Sequence, residues 1–200
     1  MRIANESGIS TDEMFKEILI SEMMFFDGGG VTFTGGEPTV QFDALKEILA
    51  KVKACGINTA IETNGTNPRL PELFELTDYL IMDFKHHSSE KLREYTGAGN
   101  ETVLANLKSA AMKRNQLLLR IPLINGFNAS SQDAAEFAKL LSAYMKDGFA
   151  LEVLRYHEYG KDKWSQHGMQ YTMQDAFVSD TQFNEFCSIL KNNSIKLVRT

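Results

Sequence analysis

Apolar runs of strand character alternate along this chain with segments in which apolar residues recur every three or four positions. The first pattern predicts buried strands and the second predicts amphipathic helices. The predicted strands cover residues 31–34, 57–61, 79–83, 117–121 and 151–154, and 195–198 is a candidate edge strand. The predicted helices cover 10–26, the segment around 45–52, 68–76, 101–114, 131–146 and a last segment after residue 179. Strands that alternate with helices indicate an α/β protein with a parallel sheet.

Helix boundaries are marked by specific residues. Ser10 with Glu13, and Ser179 with Gln182, have the spacing of a capping box, and the glycines at 28–30 end the first helix. The chain is therefore expected to begin on a helix. Periodicity alone leaves two architectures open, an open doubly wound sheet or part of a (β/α) barrel.

Composition narrows the class of protein. The chain has 200 residues, of which 43% are hydrophobic, and we expect one domain spanning 1–200. Its net charge of -5 argues against a nucleic-acid surface. The first residues lack the apolar core of a secretory signal, and no run has the roughly 18 apolar residues of a membrane span, so the expectation is a cytoplasmic protein without a membrane partner. Cys55 and Cys187 are interpreted as two buried, reduced thiols.

Unusual residues follow each of the five predicted strands. The clusters are TGGEP at 34–38, ETNG at 62–65, DFK at 83–85, RIP at 120–122 and RYHEYG at 155–160. Ligands of α/β proteins bind at the carboxyl ends of the strands, so the five clusters are expected to open onto one site.

Each cluster offers chemistry but also has a structural interpretation. Gly35 and Gly36 can expose backbone groups to a ligand, or can form a plain turn. Lys85 offers a positive charge suited to a carboxylate. Arg120 is a charge inside an apolar strand and needs a ligand or an internal carboxylate, for which Glu62 or Asp83 are the candidates. These two acids could also coordinate a hard cation.

Two further features are interpreted as structural. His86 and His87 are adjacent, point in different directions and lack a third metal ligand at useful spacing, so they are predicted to be loop residues. Met23, Met24 and Phe25 are predicted to fill the core.

Six segments in this order resemble the activating enzymes of glycyl-radical enzymes, such as those of the pyruvate formate-lyase activating type. They are GGGVTFTGGEP, AIETNG, MDFK, EYTGAGNETVLANL, RIPLINGFN and YHEYGKDKW. The resemblance implies a radical-SAM partial (β/α) barrel of parallel strands. It also implies a 4Fe-4S cluster, reductive cleavage of S-adenosylmethionine, a glycyl-radical enzyme as protein substrate, and an electron donor such as flavodoxin or ferredoxin.

The resemblance also assigns roles. Gly35, Gly36 and Glu37 would meet the amino group of S-adenosylmethionine, and Lys85 its carboxylate. Arg120 and His157 would line the rest of the cofactor site. A monovalent cation near the carboxylate would be held by three residues, which are Glu62, Thr63 and Asp83.

The chain departs from the family in one major respect. Family members carry a CxxxCxxC loop after their first strand, and this chain contains no such motif. We therefore expect a fold lacking the first strand and cluster loop, through truncation, a misassigned start or a degraded gene, and no activity from this chain alone. Arg155 and Asn125 replace prolines that are common in the family. The alternatives are a cluster-free, non-catalytic S-adenosylmethionine-binding or interaction module and, more weakly, a phosphate-binding α/β enzyme.

Overall fold

A computed structural model describes residues 8–113, 116–144, 149–166 and 168–199, with the side chains of 163–165 left out of the description. Its strands are Gly30–Phe33 (β1), Asn58–Thr63 (β2), Tyr79–Asp83 (β3), Gln116–Leu123 (β4) and Phe149–Arg155 (β5). They form one sheet in the order β1-β2-β3-β4-β5. β1 pairs with β2, and β2 with β3, in parallel. The order in the sheet equals the order in the chain, as expected when each strand is followed by a crossover to its neighbour.

The helices lie between the strands, as the periodicity predicts. They are Thr11–Ile20 (α1), Phe42–Ala54 (α2), Ser89–Thr96 (α3), Glu101–Lys113 (α4), Ser131–Ser142 (α5), Lys161–Gln166 (α6) and Asp180–Asn192 (α7). Short 3₁₀ helices cover Glu22–Met24, Pro38–Gln41 and Leu70–Leu76. The predicted helix over 10–26 therefore ends at residue 20, and the one predicted at 68–76 is a 3₁₀ helix. α3 and α6 are not anticipated from the sequence, because they are short and polar.

Capping boxes begin three of the helices. The two predicted boxes, at Ser10 and Ser179, are present with both reciprocal hydrogen bonds. A third begins α5, where Ser130 and Asp133 cap one another. The sequence prediction missed it because aspartate replaces the usual glutamate or glutamine at the third helical position.

The described residues divide into two compact units. The first unit takes 8–83, 101–113, 116–118 and Phe149, and the second takes 84–100, 119–144, 150–166 and 168–199.

The core of the first unit lies between one face of its strands and α2. Four side chains that the sequence places on one face of α2 are buried: Leu45, Ile48, Leu49 and Val52. Ile61 of β2 and Leu80 of β3 are partners in the strand register and are fully buried. Glu62 and Ile81, the next residues along these two strands, point to the opposite face.

The core of the second unit is built on aromatic rings. Phe137 of α5 makes edge contacts with Phe84, at 5.6 Å between ring centroids, and with Phe186 of α7, at 5.9 Å. The predicted edge strand over 195–198 is reduced to one parallel bridge, between Leu151 and Leu197.

The expected burial of four residues is wrong. Cys55 is exposed at the end of α2 and Cys187 is half-buried in α7, so neither is a fully buried thiol. Met23 and Met24 do not fill the core, since they are 90% and 57% exposed. Within the described residues, no helix has the length and apolar character needed to cross a membrane.

Candidate functional site

The loop after β1 is organised by Glu37. Its Oε1 accepts hydrogen bonds from the backbone N–H of Thr39 at 3.1 Å, the Thr39 hydroxyl at 2.5 Å and the Thr63 hydroxyl at 2.7 Å. Its Oε2 accepts from the backbone N–H of Asn64 at 2.7 Å. A carboxylate offers about four lone-pair positions, so these bonds use most of its capacity. Glu37 thus joins the loop after β1 to the loop after β2, and its predicted contact with an ammonium group stays a prediction.

Gly35 and Gly36 are exposed beside this carboxylate. Gly35 has a φ of +140°, which disfavours any residue with a Cβ. No other atom lies within 4 Å of a Cβ built on either glycine. The backbone here is accessible, as a loop that receives a ligand must be.

The loop after β2 is held by buried amide and hydroxyl groups. Thr63 Oγ1 accepts from the backbone N–H of Gly65 at 3.1 Å. Asn106 of α4 donates to the carbonyls of Gly65 and Asn67, both at 2.9 Å. The conformation of this loop is therefore fixed by contacts that the sequence did not indicate.

The three residues predicted to bind a cation lie at the ends of β2 and β3. Glu62 is the register partner of Ile81, so Glu62 and Asp83 lie on the same face of neighbouring strands. Thr63 is 3% exposed and follows Glu62 directly, so its side chain points to the opposite face. A cation shared by all three side chains stays a prediction, and the two acids are the better placed pair.

A polar cavity of about 500 Å³ lies at the opposite strand ends of the first unit. Its described lining includes the first residues of four strands, Gly30, Asn58, Tyr79 and Gln116, and none of the predicted site residues. Asp78, in its wall, accepts from the backbone N–H of Thr59 at 3.0 Å and is paired with Lys53. The polar contacts in this wall are structural.

In the second unit, Lys85 follows β3 and is half-buried. Its backbone carbonyl accepts a hydrogen bond from Asn128 Nδ2 at 2.7 Å. Phe84, just before it, donates its backbone N–H to the carbonyl of Arg120 at 2.7 Å. The segment that carries Lys85 is thus bound to β4 and to the loop after it.

Arg120 of β4 has a carboxylate partner that the sequence prediction did not name. Its Nε donates to Glu152 Oε2 of β5 at 2.9 Å, and the Glu152 side chain is 4% exposed. Glu152 was not among the candidates named from the sequence, and a pairing of Arg120 with Glu62 or Asp83 stays a prediction. Glu152 could have been found by the rule that singled out Arg120, since it is also a charge within an apolar strand.

His157 lies in the loop after β5, on the surface. Its ring stacks on Tyr159 at 4.3 Å between centroids, and its Nδ1 accepts from the Tyr159 backbone N–H at 3.4 Å. Arg155 is engaged with α7, where it pairs with Asp180 at 2.9 Å and lies 4.1 Å from the centroid of Phe183. Arginine at this position therefore has a structural role that a proline could not fill.

His86 and His87 do have a third potential metal ligand, contrary to the sequence interpretation. One ligand atom from each histidine and from Asp133 lies within 4.8 Å of the others. Both ring nitrogens of His86 are already used, because Nδ1 accepts from the Ser88 N–H at 2.9 Å and Nε2 lies 3.0 Å from the carbonyl of Phe127. Since Nδ1 accepts, Nε2 carries the proton and cannot bind a metal.

Electrostatics agree with this structural role. Burial lowers the pKa of His86, which favours the neutral ring. Burial by itself would raise the pKa of Asp133, but hydrogen bonds from Ser130 and His87 bring it below its ordinary value. Asp133 is thus an ionised acceptor, bonded to His87 Nε2 at 2.9 Å.

The residues of the predicted site are divided between the two units. Gly35, Gly36, Glu37, Glu62, Thr63 and Asp83 belong to the first unit, and Lys85, Arg120 and His157 belong to the second. Within the first unit, Glu37 and Thr63 are in direct contact.

Comparison with known protein families identifies the scaffold. The family model described as the Radical SAM superfamily matches residues 6–138, a segment that contains the ends of β1, β2, β3 and β4. This chain belongs to the radical SAM superfamily. The predicted fold class, the α/β radical SAM type with parallel strands, is confirmed by this match and by the observed sheet.

Similar proteins carry the names of activating enzymes. The 4-hydroxyphenylacetate decarboxylase activating enzyme of Clostridioides difficile (strain CD196) is 31% identical over 93% of this chain and 60% of its own length. The choline trimethylamine-lyase activating enzyme of Oleidesulfovibrio alaskensis is 34% identical over 79% of this chain and 53% of its own length. The radical SAM chain therefore spans somewhat more than half the length of these relatives.

A solved structure is similar over almost its whole length. The crystal structure of a domain of pyruvate-formate lyase-activating enzyme from Bacteroides vulgatus superposes with a TM-score of 0.69 at 26% identity. The match covers 86% of this chain and 98% of that domain.

The cysteines of this radical SAM chain do not fit a 4Fe-4S cluster. Its 200 residues include two cysteines, at 55 and 187, whereas the family motif supplies three thiolates. The two belong to different units.

Proposed function

We propose that this chain is the S-adenosylmethionine-binding part of a glycyl-radical-enzyme activating enzyme. The observation that carries the proposal is the radical SAM match over residues 6–138, which includes four of the five predicted strand-end clusters. The activating-enzyme names of its relatives support the reaction class.

The residues of this chain would bind and orient the cofactor. The exposed backbone of Gly35 and Gly36 would face its amino group, with Glu37 holding the loop in place. Lys85 would pair with its carboxylate, since an ammonium is a suitable point charge for that group. Arg120, held by Glu152, and His157 would line the remainder of the site. Glu62 and Asp83, with Thr63, would hold a monovalent cation near the carboxylate.

In the complete enzyme, S-adenosylmethionine would supply, after reductive cleavage, the radical that takes hydrogen from a glycine of the partner protein. The partner is proposed to be a glycyl-radical enzyme, and the electron donor a flavodoxin or a ferredoxin. The contribution of this chain is to hold the cofactor in one orientation, because such chemistry depends on positioning.

Cofactor binding is the first test. We expect the 200-residue chain to bind S-adenosylmethionine weakly, and Lys85→Ala to reduce that affinity about tenfold or more, because a charge-assisted hydrogen bond is lost. Titration followed by NMR measures both. Lys108→Ala, which changes an exposed lysine on α4, is the matched control and should leave the affinity unchanged. A chain that shows no response to the cofactor contradicts the proposal.

Cofactor cleavage is the second test. Anaerobic incubation of the chain with iron, sulfide, dithionite and S-adenosylmethionine should yield no 5′-deoxyadenosine above a blank. An extended chain that carries a family-type first strand and three-cysteine loop should cleave the cofactor. Cleavage by the unextended chain would show that the loop is not essential.

A cluster-free binding or interaction module is the second candidate, and the cysteine count is the observation that favours it. A well-folded extended chain that binds S-adenosylmethionine but fails to cleave it would support this candidate over the first.

A further inference from the structure

Three consecutive backbone carbonyls after β3 are bound by the side-chain amides of two buried asparagines. Asn128 Nδ2 donates to the carbonyl of Lys85 at 2.7 Å. Asn100 Nδ2 donates to the carbonyls of His86 at 2.9 Å and His87 at 2.8 Å. Asn128 is 0% exposed and Asn100 is 2% exposed. An unpaired polar group at such a buried position would cost stability. The two amides avoid this cost by donating to the carbonyls of residues 85–87 and of Pro122.

The same segment is bound to β4 at its start and is folded by an internal hydrogen bond near its end. The N–H of Phe84 donates to the carbonyl of Arg120, and the N–H of Ser88 donates to His86 Nδ1. The His86 ring in turn contacts the carbonyl of Phe127. Residues 84–88 have no helix or strand of their own, and yet each has at least one backbone or ring atom in a hydrogen bond.

Asn128 connects this segment to the end of β4. Its second Nδ2 hydrogen bond goes to the carbonyl of Pro122 at 2.9 Å, and its Oδ1 accepts from the N–H of Ile124 at 2.8 Å. One side chain therefore fixes the carbonyl of Lys85 relative to the strand that carries Arg120. Only an amide supplies both donors and the acceptor at this size.

We propose that Asn128 and Asn100 are positioning residues that hold the backbone of Lys85 so that its ammonium meets the carboxylate of the cofactor. This role rests on the proposed function. A lysine side chain loses considerable rotamer entropy when it binds, and a fixed backbone removes the further cost of ordering the loop. The residues that contact the backbone of a binding residue in this way determine how precisely its side chain is placed.

We call the hydrogen bonds from Asn100 and Asn128 to the carbonyls of residues 85–87 the clamp. Hydrogen exchange tests the clamp without any ligand. Asn128→Asp keeps the shape and the acceptor but removes both donors, and we expect the amides of residues 84–88 to exchange about fivefold faster or more. Asn125→Ser is the matched control, because Asn125 lies in the same loop and donates instead to the carbonyl of Asp175. Asn100→Ser provides a second variant if Asn128→Asp does not fold. Unchanged exchange at 84–88 in a folded variant would overturn the clamp.

Two ligands, one with a carboxylate and one without it, test whether the clamp affects cofactor affinity through Lys85. S-adenosylmethionine has the carboxylate that Lys85 is proposed to bind, and decarboxylated S-adenosylmethionine lacks it. Asn128→Asp should weaken binding of the first about fivefold and leave binding of the second unchanged. In a Lys85→Ala background, Asn128→Asp should cause no further loss, since it acts through Lys85.

The possible outcomes distinguish failure of the positioning role from failure of the proposed function. Equal losses for both ligands, or a full additional loss in the Lys85→Ala background, would make Asn128 a general structural residue and overturn the positioning role. If the unchanged chain binds neither ligand, the proposed function and the positioning role both fail, and the exchange measurement still decides whether the clamp exists.

Discussion

At the scale of single residues, the conformation of the predicted site depends on side chains that hydrogen-bond to its other residues. Glu37 binds two loops, Glu152 binds Arg120, and Asn128 binds the backbone of Lys85. Each of the three has at least one partner in a distant segment of the chain. Charged or amide groups are expensive to bury, so each of these pairings fixes a geometry strongly.

The buried ring of His86 makes stability depend on pH. Burial lowers its pKa below the ordinary value of 6.5, so the unfolded chain binds a proton more readily than the folded chain. The contribution is fully present above pH 6.5 and is lost as the pH falls below it. We expect the free energy of unfolding, measured with urea, to decrease between pH 7.5 and 5.0, and to decrease less in His86→Gln.

Asp133, which lies near His86, contributes to stability in a different pH range. Hydrogen bonds lower the pKa of Asp133 below its ordinary value of 3.8, so its contribution is lost only in more acidic solution. Equal slopes for the wild type and His86→Gln between pH 7.5 and 5.0 would assign the pH dependence to other groups.

At the scale of elements, four of the described helices, α1, α3, α5 and α7, begin at a serine that caps them. Ser179 accepts from the N–H of Gln182 at 3.2 Å, and the Gln182 side chain accepts from the N–H of Ser179 at 3.1 Å. α7 packs against α5 through Phe186 and Phe137, so the start of α7 also fixes where its apolar face falls. The cap and the packing therefore support one another.

Removal of this cap should have a moderate cost. Ser179→Ala should reduce the free energy of unfolding by about 1 kcal/mol, because a backbone N–H at the start of α7 loses its acceptor. Urea unfolding followed by circular dichroism measures the change. Ser142→Ala, in the exposed last turn of α5, is the control and should cost less than about 0.5 kcal/mol. Equal costs would show that the box at Ser179 adds nothing specific.

At the scale of the whole molecule, the sheet has an open edge at β1 with exposed apolar side chains beside it. Among the described residues, β1 pairs with β2 alone. Four apolar side chains just before it are more than half exposed, and these are Ile20, Met23, Met24 and Phe26. An unpaired strand edge beside apolar surface favours association with another chain.

We therefore expect the isolated chain to self-associate through this edge. The double variant Met23→Lys and Phe26→Lys should shift the chain toward monomer, since charges oppose burial of the surface. Light scattering after size-exclusion chromatography measures the mass at several concentrations. Tyr159→Lys, which changes a side chain that is 88% exposed in the second unit, is the control. A chain that is monomeric before any substitution contradicts the prediction.

Local order was accessible from the sequence because its causes are local. The run of Leu45, Ile48, Leu49 and Val52 predicts a buried helix face, and the structure confirms it. The strand at 79–83 is confirmed with both of its boundaries. Apolar periodicity depends only on neighbours within one or two turns, so no tertiary information is needed to recognise it.

Pairings between distant segments were decided by the tertiary structure. Asn128 and Lys85 are 43 residues apart, Arg120 and Glu152 are 32 apart, and His87 and Asp133 are 46 apart. The sequence marked Lys85 and Arg120 as unusual, since a charge near an apolar strand needs a partner, but several acids and amides could have served. The choice among them depends on strand register and on the path of each loop, which arise only when the segments pack together.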